Sequence, residues 1–324
     1  MSLTGIIKRR GPSGFGWSST AEEVVDGLDL SDKTILLTGC NSGIGFETMR
    51  VLVERGATVL AAARSQAKAQ AACDEVSGET VPLVCDLEDP ESIRGCVDDV
   101  HELGHNLDAL ICNAGIMALP KLETLYGCEK QFFVNHVGHF LLVTGLLDAL
   151  ADDARVVMVS SGAHKAAPKE GIEFDNLSGE NGYAAWRAYG QSKLANLLFA
   201  RELGRRFDEE DSHRSAVAIH PGPIDTNLTR YMNAVARWGW SVMGPLFLKS
   251  IPEGAATQVW AAVHPEATEL NGAYAADCNI KESSSKGADM ALAKRLWDKT
   301  EQIVAQFDDA PFDQAASQSE EKSA

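Results

Sequence analysis

A glycine-rich stretch at residues 34–45, with the sequence TILLTGCNSGIG, constrains the fold of this chain more than any other feature. Its short apolar run has the length of a buried strand rather than of a helix. The chain then passes through Gly39, Gly43 and Gly45 and enters a segment with helical apolar spacing. A strand, a glycine turn and a helix start can bind a dinucleotide pyrophosphate, because N–H groups at the positive end of the helix dipole face the anion. The alternative is an ordinary glycine-rich turn, which three glycines alone do not exclude.

Length, charge and cysteine pattern narrow the class of protein. A chain of 324 residues with 45% hydrophobic residues can bury a substantial core. A formal net charge of −17 argues against a nucleic-acid partner, which would need a basic face. The seven scattered cysteines fit a reducing compartment better than a disulfide framework or a zinc site. Without a signal-peptide core or a run of roughly 18 apolar residues, we expect a soluble, cytoplasmic protein with no integral membrane segment and no metal.

Apolar runs bounded by turn residues predict six strands that alternate with helices. This alternation indicates an α/β fold with a doubly wound, Rossmann-like parallel sheet, in which ligands bind outside the carboxyl ends of the strands. The predicted strands lie at about 35–37, 58–63, 81–85, 107–112, 155–160 and 216–220, and a last short one at 274–276. The predicted helices lie at about 19–25, 44–53, from 66 onward, 90–103, 125–150, 183–207 and 291–307.

The predicted organisation is a single dinucleotide-binding catalytic domain at residues 31–307. An N-terminal extension precedes it at 1–30, and the composition of residues 308–324 predicts a disordered acidic tail. Between about 226 and 250, apolar residues such as Leu228, Trp238 and Leu246 recur at helical spacing. A core helix is one interpretation; a helical lid over the substrate is favoured, because the segment follows a strand end. Its large apolar side chains indicate a lipophilic substrate.

Five short motifs, in one order along the chain, resemble those of the short-chain dehydrogenase/reductase family. They are the glycine turn, residues 113–115, Asn135, Ser161, and Tyr189 with Lys193, and the match runs from about residue 33 to 276. The resemblance implies an NAD(P)-dependent enzyme acting on CH–OH or C=O groups. Residues around Asn135, around Tyr189 and at 220–223 resemble the retinol-dehydrogenase-like branch. The N-terminal residues 14–23, with the sequence GFGWSSTAEE, are similar to the corresponding segment of family members associated with the chloroplast envelope translocon.

The candidate catalytic residues are Asn135, Ser161, Tyr189 and Lys193. Tyr189 and Lys193 lie four residues apart on a predicted helix and so share one face. A nearby ammonium stabilises a phenolate, and lowering the pKa of Tyr189 by about three units needs roughly 4 kcal/mol. Such a tyrosine can exchange a proton with the substrate oxygen while a hydride moves. The resemblance implies that Ser161 binds the substrate oxygen, that Lys193 also holds the nicotinamide ribose and that Asn135 orients a water. Strand alternation points Ser160 and Ser161 to opposite faces, and the family pattern favours Ser161.

The end of the second strand favours NADP(H) as cofactor, with NAD(H) as the alternative. An NAD site has an acidic residue about 20 positions beyond the glycines; Ala63 and Arg64 stand there instead, and a guanidinium suits a 2′-phosphate. For Asp86, which the family places at the adenine pocket, helix capping is the alternative. The full set of predicted cofactor-binding residues is Gly39, Asn41, Ser42, Gly43, Ile44, Gly45, Arg64, Asp86, Leu87, Asn113, Ala114, Gly115, Tyr189, Lys193, Pro221, Gly222, Ile224 and Thr226.

Other functions remain open at the level of sequence. A catalytically idle dinucleotide sensor or scaffold could use the same fold, although it would need only the glycine turn. Reduction of a carbon–carbon double bond would use the same Tyr189 and Lys193. The spacing of His136, His139 and His220 matches no metal-ligand pattern and predicts packing roles. We expect a lipophilic small molecule as partner, and a homodimer is a further option.

Overall fold

The computed structural model describes residues 10–224 and 248–307, and its centre is an eight-stranded sheet. The strands are β1 (Thr34–Thr38), β2 (Thr58–Ala63), β3 (Thr80–Val84), β4 (Leu107–Cys112), β5 (Thr124–Leu125), β6 (Cys128–Glu129), β7 (Leu150–Val159), β8 (Ser215–His220), β9 (Tyr274–Ala276) and β10 (Asn279–Ile280). The order in the sheet is β10-β9-β8-β7-β4-β1-β2-β3, and all neighbours are parallel except β9 and β10. β5 and β6 form a separate hairpin. The predicted doubly wound sheet is confirmed.

Helices cover both faces of this sheet. They are α1 (Ala21–Val25), α2 (Gly43–Glu54), α3 (Gln66–Asp74), α4 (Pro90–Leu103), α5 (Lys130–Phe132), α6 (Gly138–Gly145), α7 (Ala185–Glu209), α8 (Ile251–Val263) and α9 (Met290–Val304). One apolar core lies between the sheet and α2, α3 and α8. The other lies between the sheet and α4, α6 and α7. Because both faces are buried, the carboxyl edge of the sheet is where a ligand can reach the strand ends.

Local capping explains where several helices begin and end. Thr20 accepts a hydrogen bond from the Glu23 N–H and starts α1, as the sequence predicts. Asp89 caps α4, which ends at Gly104 in the left-handed conformation with φ +67°. A capping box of Ser250 and Glu253 starts α8.

The predicted continuous helix at 125–150 is wrong. Tyr126 and Gly127, with φ of +48° and +77°, reverse the chain between β5 and β6. Helix begins only at Lys130, passes through a π-helical turn at Phe133–Val137, and ends at Gly145. Apolar side chains of the hairpin join the same buried cluster as those of the helix, so the apolar periodicity continues through the turn and conceals it.

Smaller departures concern strand and helix bounds. β7 begins at Leu150 rather than at 155, and α7 begins at Ala185 rather than at 183. Helix α8 and strand β10 were not predicted. Helix α8 is buried on nearly all sides, so it lacks the polar stripe that marks a surface helix.

The N-terminal segment, from residue 10 onward, packs against the rest of the fold. Trp17 is buried, and α1 contacts α8. The Ser13 N–H donates to Asn279 Oδ1 at 3.1 Å, and Asn279 Nδ2 donates to the Phe15 carbonyl at 3.2 Å. The acidic tail at 308–324 and most of the lid predicted at 226–250 lie outside the described residues. Within the described ranges, no helix combines the length and apolar character needed to cross a bilayer.

Candidate active site

The glycine turn lies between β1 and α2 at the carboxyl edge of the sheet. Gly39 and Gly43 have φ of +71° and +58°, a region that favours glycine. A Cβ on Gly45 would lie 2.1 Å from the Gly39 carbonyl oxygen, so a larger residue would force a shift. Asn41 and Ser42 are exposed, and the Ser42 hydroxyl does not cap α2 although Ser42 is its N-cap residue. The turn has the shape and polarity that suit an anion at a helix start.

The segment after β8 lies against the glycine turn. The side chains of Ile44 and Ile224 both pack against Gly254 of α8. A Cβ on Gly254 would lie only 2.4 Å from Ile224 Cδ1 and 3.0 Å from Ile44 Cγ2. Pro221 is buried at the end of β8. The structure thus brings together residues separated by 180 positions that the sequence assigns to one site. Thr226, the last of that predicted set, lies outside the described residues.

Arg64 directly follows β2, beside the glycine turn. Its side chain is exposed, whereas Ala63 before it is buried. Ser65 is the N-cap residue of α3, yet its hydroxyl makes no capping bond. A guanidinium and a serine hydroxyl therefore stand together at the start of a nine-residue helix.

Asp86 and Leu87 lie at the same edge, after β3. Asp86 Oδ1 accepts the Glu88 N–H at 3.1 Å, and the Asp86 N–H donates to Ser92 Oγ at 3.0 Å. Asp86 therefore shapes the turn, while the N-cap of α4 is Asp89. Leu87 is buried, and its carbonyl oxygen is 2.8 Å from the place of a Cβ on Gly138.

Thr38, the last residue of β1, holds the turn at residues 113–115. Its Oγ1 accepts the N–H groups of Asn113 and Ala114, each at 3.0 Å, and Asn113 Nδ2 donates to the Thr38 carbonyl at 2.8 Å. Asn113 Oδ1 is buried without a hydrogen-bond partner among the described residues. Gly115 is exposed at the end of this turn. The sequence motif included Thr38 but its role as the clamp of this turn was missed.

Asn135 is fully buried inside the π-helical turn. Its Oδ1 accepts the Ile116 N–H at 2.8 Å, and its Nδ2 donates to the Ile116 carbonyl at 2.9 Å and to Ser192 Oγ at 2.9 Å. Both amide protons are thus engaged, and Asn135 fixes the chain just beyond Gly115. Insertions that form π turns inside α-helices often mark functional sites.

Ser161 and Tyr189 meet at the end of β7. The Ser161 hydroxyl hydrogen-bonds the Tyr189 phenol and also accepts the Ala163 N–H at 3.1 Å. The adjacent Ser160 is buried and donates to the Lys193 carbonyl at 2.7 Å. Burial raises the pKa of Tyr189, and the Ser161 hydrogen bond acts in the opposite direction. The phenol is therefore protonated at neutral pH in this arrangement.

Lys193 lies behind Tyr189 on α7, four residues further along. Its Nζ donates to the Val159 carbonyl at 2.9 Å and lies 5.8 Å from the centroid of the Tyr189 ring. A Cβ on Gly115 would lie 3.4 Å from the same Nζ, so the ammonium reaches the turn after β4. Burial lowers the pKa of Lys193 to about 8. The side chain therefore remains mostly protonated at pH 7.

Two histidines that the sequence did not assign to the site hold its loops. His220 Nδ1 accepts the N–H groups of Gly162 and Gly222, at 3.2 and 3.3 Å. His164 Nδ1 donates to the Ser161 carbonyl at 2.7 Å, and its Nε2 accepts the Ser284 N–H at 3.2 Å. The sequence predicts packing for His220, and this geometry adds a specific structural role; nothing local in the sequence marks His164.

Lys249 is a further buried residue that sequence reasoning missed. Its Nζ forms an ion pair with Asp277 at 2.9 Å and lies 5.1 Å from the Trp17 ring centroid. Gly222 has φ +100°, and a Cβ there would lie 2.6 Å from Lys249 Cδ. The Lys249 side chain thus packs against the turn that follows β8. Its apolar flanking residues were the only signal that it is buried.

Comparison with known proteins identifies the family. Residues 33–236 match the family model described as short chain dehydrogenase. This chain belongs to that family. The chain is 38% identical to the short-chain dehydrogenase TIC 32 A, chloroplastic, of Brassica napus, over 94% of this chain and 99% of the relative. It is also 38% identical to retinol dehydrogenase 11 of Mus musculus, over 84% of this chain and 86% of the relative.

Solved structures show the same fold. A crystal structure of an uncharacterized protein from Mycobacterium paratuberculosis has 34% identity and a TM-score of 0.72, covering 90% of this chain and 98% of that one. A short chain dehydrogenase from Burkholderia cenocepacia, solved in complex with NADP, has 25% identity and a TM-score of 0.60, covering 77% and 97%. The short-chain dehydrogenase is therefore an NAD(P)-dependent oxidoreductase of CH–OH or C=O groups.

Proposed function

We propose that this short-chain dehydrogenase uses NADP(H) to transfer a hydride between the nicotinamide and a carbonyl or alcohol group of a lipophilic small molecule. The observation that carries the proposal is the arrangement of Tyr189, Ser161 and Lys193 at the carboxyl edge of the sheet. A phenol hydrogen-bonded to a serine, with an ammonium close to its ring, is a group suited to proton transfer. A sensor or scaffold would need the glycine turn but no such group.

The residues of this edge fit a dinucleotide. The turn from Gly39 to Gly45 would hold the pyrophosphate at the start of α2. Asn113 Oδ1, a buried acceptor without a partner among the described residues, would accept a hydrogen bond from the cofactor. Lys193 would hold the nicotinamide ribose, and Gly115 leaves the backbone room beside it. When bound, the nicotinamide would accept or donate the hydride.

Arg64 and Ser65 support NADP(H) over NAD(H). A 2′-phosphate could take a charge-assisted hydrogen bond from Arg64 and a second one from the unused Ser65 hydroxyl. The start of α3 adds a favourable dipole for negative charge. The NADP complex of the Burkholderia cenocepacia relative is consistent with this choice.

Protein groups perform the proton transfer in the proposed mechanism. In the direction of reduction, Tyr189 donates its proton to the substrate oxygen, and Ser161 holds that oxygen by a hydrogen bond. The raised pKa of Tyr189 keeps the donor protonated at neutral pH. In the direction of oxidation, Tyr189 must first become a phenolate, which the Lys193 ammonium stabilises. Asn135 would act by fixing Ile116 and orienting a water beside Lys193.

The test of the catalytic proposal is Tyr189→Phe. The substitution removes only the hydroxyl, so folding and NADPH binding should persist while turnover falls about 10²–10⁴-fold. Reduction of a panel of ketones and aldehydes, followed by NADPH absorbance, measures the loss. Tyr126→Phe is the matched control, because it also removes only a hydroxyl and its ring packs against Phe133 and Phe307 rather than against Ser161. A Tyr189→Phe protein that reduces a confirmed substrate at near the parent rate would refute the mechanism.

The test of cofactor preference is Arg64→Ala. NADPH affinity should fall by about 10-fold or more, since a charge-assisted contact contributes about 1.5–3 kcal/mol, while NADH affinity should change little. Arg55→Ala is the matched control, because Arg55 pairs with Asp26 beyond the opposite end of β2. Equal losses for both cofactors in a fluorescence titration would exclude the 2′-phosphate role.

An apolar substrate is supported by the surroundings of Tyr189. The Trp186 side chain is 53% exposed, and its ring lies edge-on to the Tyr189 ring with 6.1 Å between centroids. Such a ring beside the proton donor offers apolar contact to a substrate. The relatives named retinol dehydrogenases agree with this class. A cytoplasmic location and a homodimer belong to the proposal as well, although the Brassica napus relative is named chloroplastic.

A further inference from the structure

His139 lies fully buried between two segments of the candidate site. Its ring nitrogens contact Thr38 Oγ1, through Nε2 at 3.0 Å, and the Asn135 carbonyl oxygen, through Nδ1 at 3.0 Å. Thr38 ends β1, and Asn135 lies in the π-helical turn. The imidazole therefore joins the strand that leads into the glycine turn to the helix that carries a predicted catalytic residue.

The hydrogen-bond partners determine which nitrogen carries the proton. A carbonyl oxygen can only accept, so Nδ1 must donate to Asn135. Thr38 Oγ1 already accepts the N–H groups of Asn113 and Ala114, which occupy its two lone pairs. Two acceptors lie within reach of its hydroxyl proton, the Ile111 carbonyl at 3.5 Å and His139 Nε2 at 3.0 Å. The shorter contact assigns the proton to Nε2, which is the acceptor in this tautomer.

The same chain of contacts reaches both sides of the reaction centre. On one side, Thr38 holds Asn113 and Ala114, beside the proposed cofactor site. On the other side, Asn135 holds Ile116 through two hydrogen bonds, beyond Gly115. Burial lowers the pKa of His139 to about 4, so the ring is neutral and keeps this arrangement at physiological pH.

We propose that His139 is a positioning residue that sets the distance between the cofactor turn held by Thr38 and the catalytic helix turn at Asn135. The inference rests on the proposed function for its kinetic part, while its binding part concerns cofactor affinity alone. His139 acts through Thr38 and Asn135.

His136 provides the matched comparison on the same helical segment. It is also fully buried, and its Nε2 contacts a threonine hydroxyl, Thr300 Oγ1, at 2.9 Å. Thr300 belongs to α9, and the ring packs among Phe132, Phe140 and Phe199 rather than against a site loop. A packing role and a positioning role should therefore separate between the two histidines.

Three variants of His139 test the inference. His139→Asn can keep the donor to the Asn135 carbonyl but loses the acceptor for Thr38, so NADPH affinity should fall about 10-fold while kcat stays within threefold of the parent. His139→Gln can keep the acceptor for Thr38 but loses the donor, so kcat should fall about 10-fold with NADPH affinity nearly kept. His139→Phe should show both losses. His136→Phe should lower only the melting temperature.

Fluorescence titration with NADPH and steady-state reduction of a carbonyl substrate give the two readouts, and circular dichroism confirms the fold of each variant. Equal losses in the Asn and Gln variants, or the same kinetic losses in His136→Phe, would overturn the inference in favour of general packing. NADPH affinities within twofold of the parent for both His139→Asn and His139→Phe would also overturn it. Because the titration needs no turnover, the NADPH affinities of the His139 variants still decide this inference if the parent reduces no carbonyl, an outcome that refutes the proposed function alone.

Discussion

The substitution Gly45→Ala should remove tight NADPH binding and leave the fold intact. The added Cβ would lie 2.1 Å from the Gly39 carbonyl oxygen and 2.6 Å from Asn113 Nδ2, whereas ordinary contacts begin at 3.4 Å. Both neighbours belong to the proposed cofactor site. Relief of the contact therefore requires the glycine turn to move by roughly 1 Å, a displacement large enough to matter for function.

Two opposing effects set the change in stability. Alanine in place of glycine inside a helix contributes about 0.5–1 kcal/mol of stability. Overpacking in a tight site costs about 1–3 kcal/mol. We expect the free energy of unfolding to fall by no more than about 2.5 kcal/mol, which a folded domain of this size tolerates. Binding should suffer more under the proposed function. If two charge-assisted hydrogen bonds from the turn to the pyrophosphate are lost, at about 1.5 kcal/mol each, affinity falls more than about 100-fold.

Gly95→Ala is the matched control for this prediction. Gly95 lies on α4, is exposed, and a Cβ there would have no neighbour within 4 Å. This variant should gain about 0.5–1 kcal/mol of stability with unchanged NADPH affinity. Fluorescence titration and thermal melting of both variants measure the two effects. Parent-like NADPH affinity in a folded Gly45→Ala protein would show that the turn does not hold the pyrophosphate.

Two further predictions concern aromatic and histidine side chains that are buried among the helices. Trp297→Ala should cost about 3–5 kcal/mol in urea denaturation, because the ring stacks on Phe199 at 5.4 Å and meets Phe140 at 4.9 Å; a cost below about 1 kcal/mol would contradict this packing. Burial lowers the pKa of His136 to about 3 and that of His139 to about 4. As the pH drops from 6.5 toward 4, these histidines therefore take up protons in the unfolded chain but not in the folded one. The free energy of unfolding should fall over this pH range. His136→Phe should flatten this decline, and an unchanged slope in pH-dependent melting would contradict the linkage.

Sequence patterns predict the sheet well because each buried strand is short, apolar and followed by a recognisable turn. They fail where a turn interrupts a continuous apolar periodicity, as at Tyr126 and Gly127, whose positive φ values are set by the hairpin geometry. Helix α8 was missed because burial on nearly all sides removes the polar stripe that marks a surface helix. Its capping box at Ser250 and Glu253 was a usable signal that periodicity alone did not provide.

In the candidate site, too, local spacing was predictable from the sequence, whereas contacts between distant residues were not. The spacing of Tyr189 and Lys193 places both on one helix face, and the structure brings Ser161 to them. By contrast, the partners of His139 and His164 lie 101 and 120 residues away, at Thr38 and Ser284. A contact across that distance depends on how the helices pack on the sheet, which local patterns do not encode. The expected lowering of the Tyr189 pKa is absent here, because burial raises it.

The hydrogen bonds between the N-terminal segment and Asn279 have a consequence for synthesis of the chain. Ser13 and its partner Asn279 are separated by 266 positions, and α1 rests on α8. A ribosome adding about 5–20 residues per second needs roughly 13–53 s to make the intervening chain. During most of this interval the part of α1 that packs against α8 lacks its native partner, although α2 is already available to contact α1. The face of α1 that α8 covers in the folded protein therefore stays exposed until α8 has been made, and a holding chaperone could bind it in that interval.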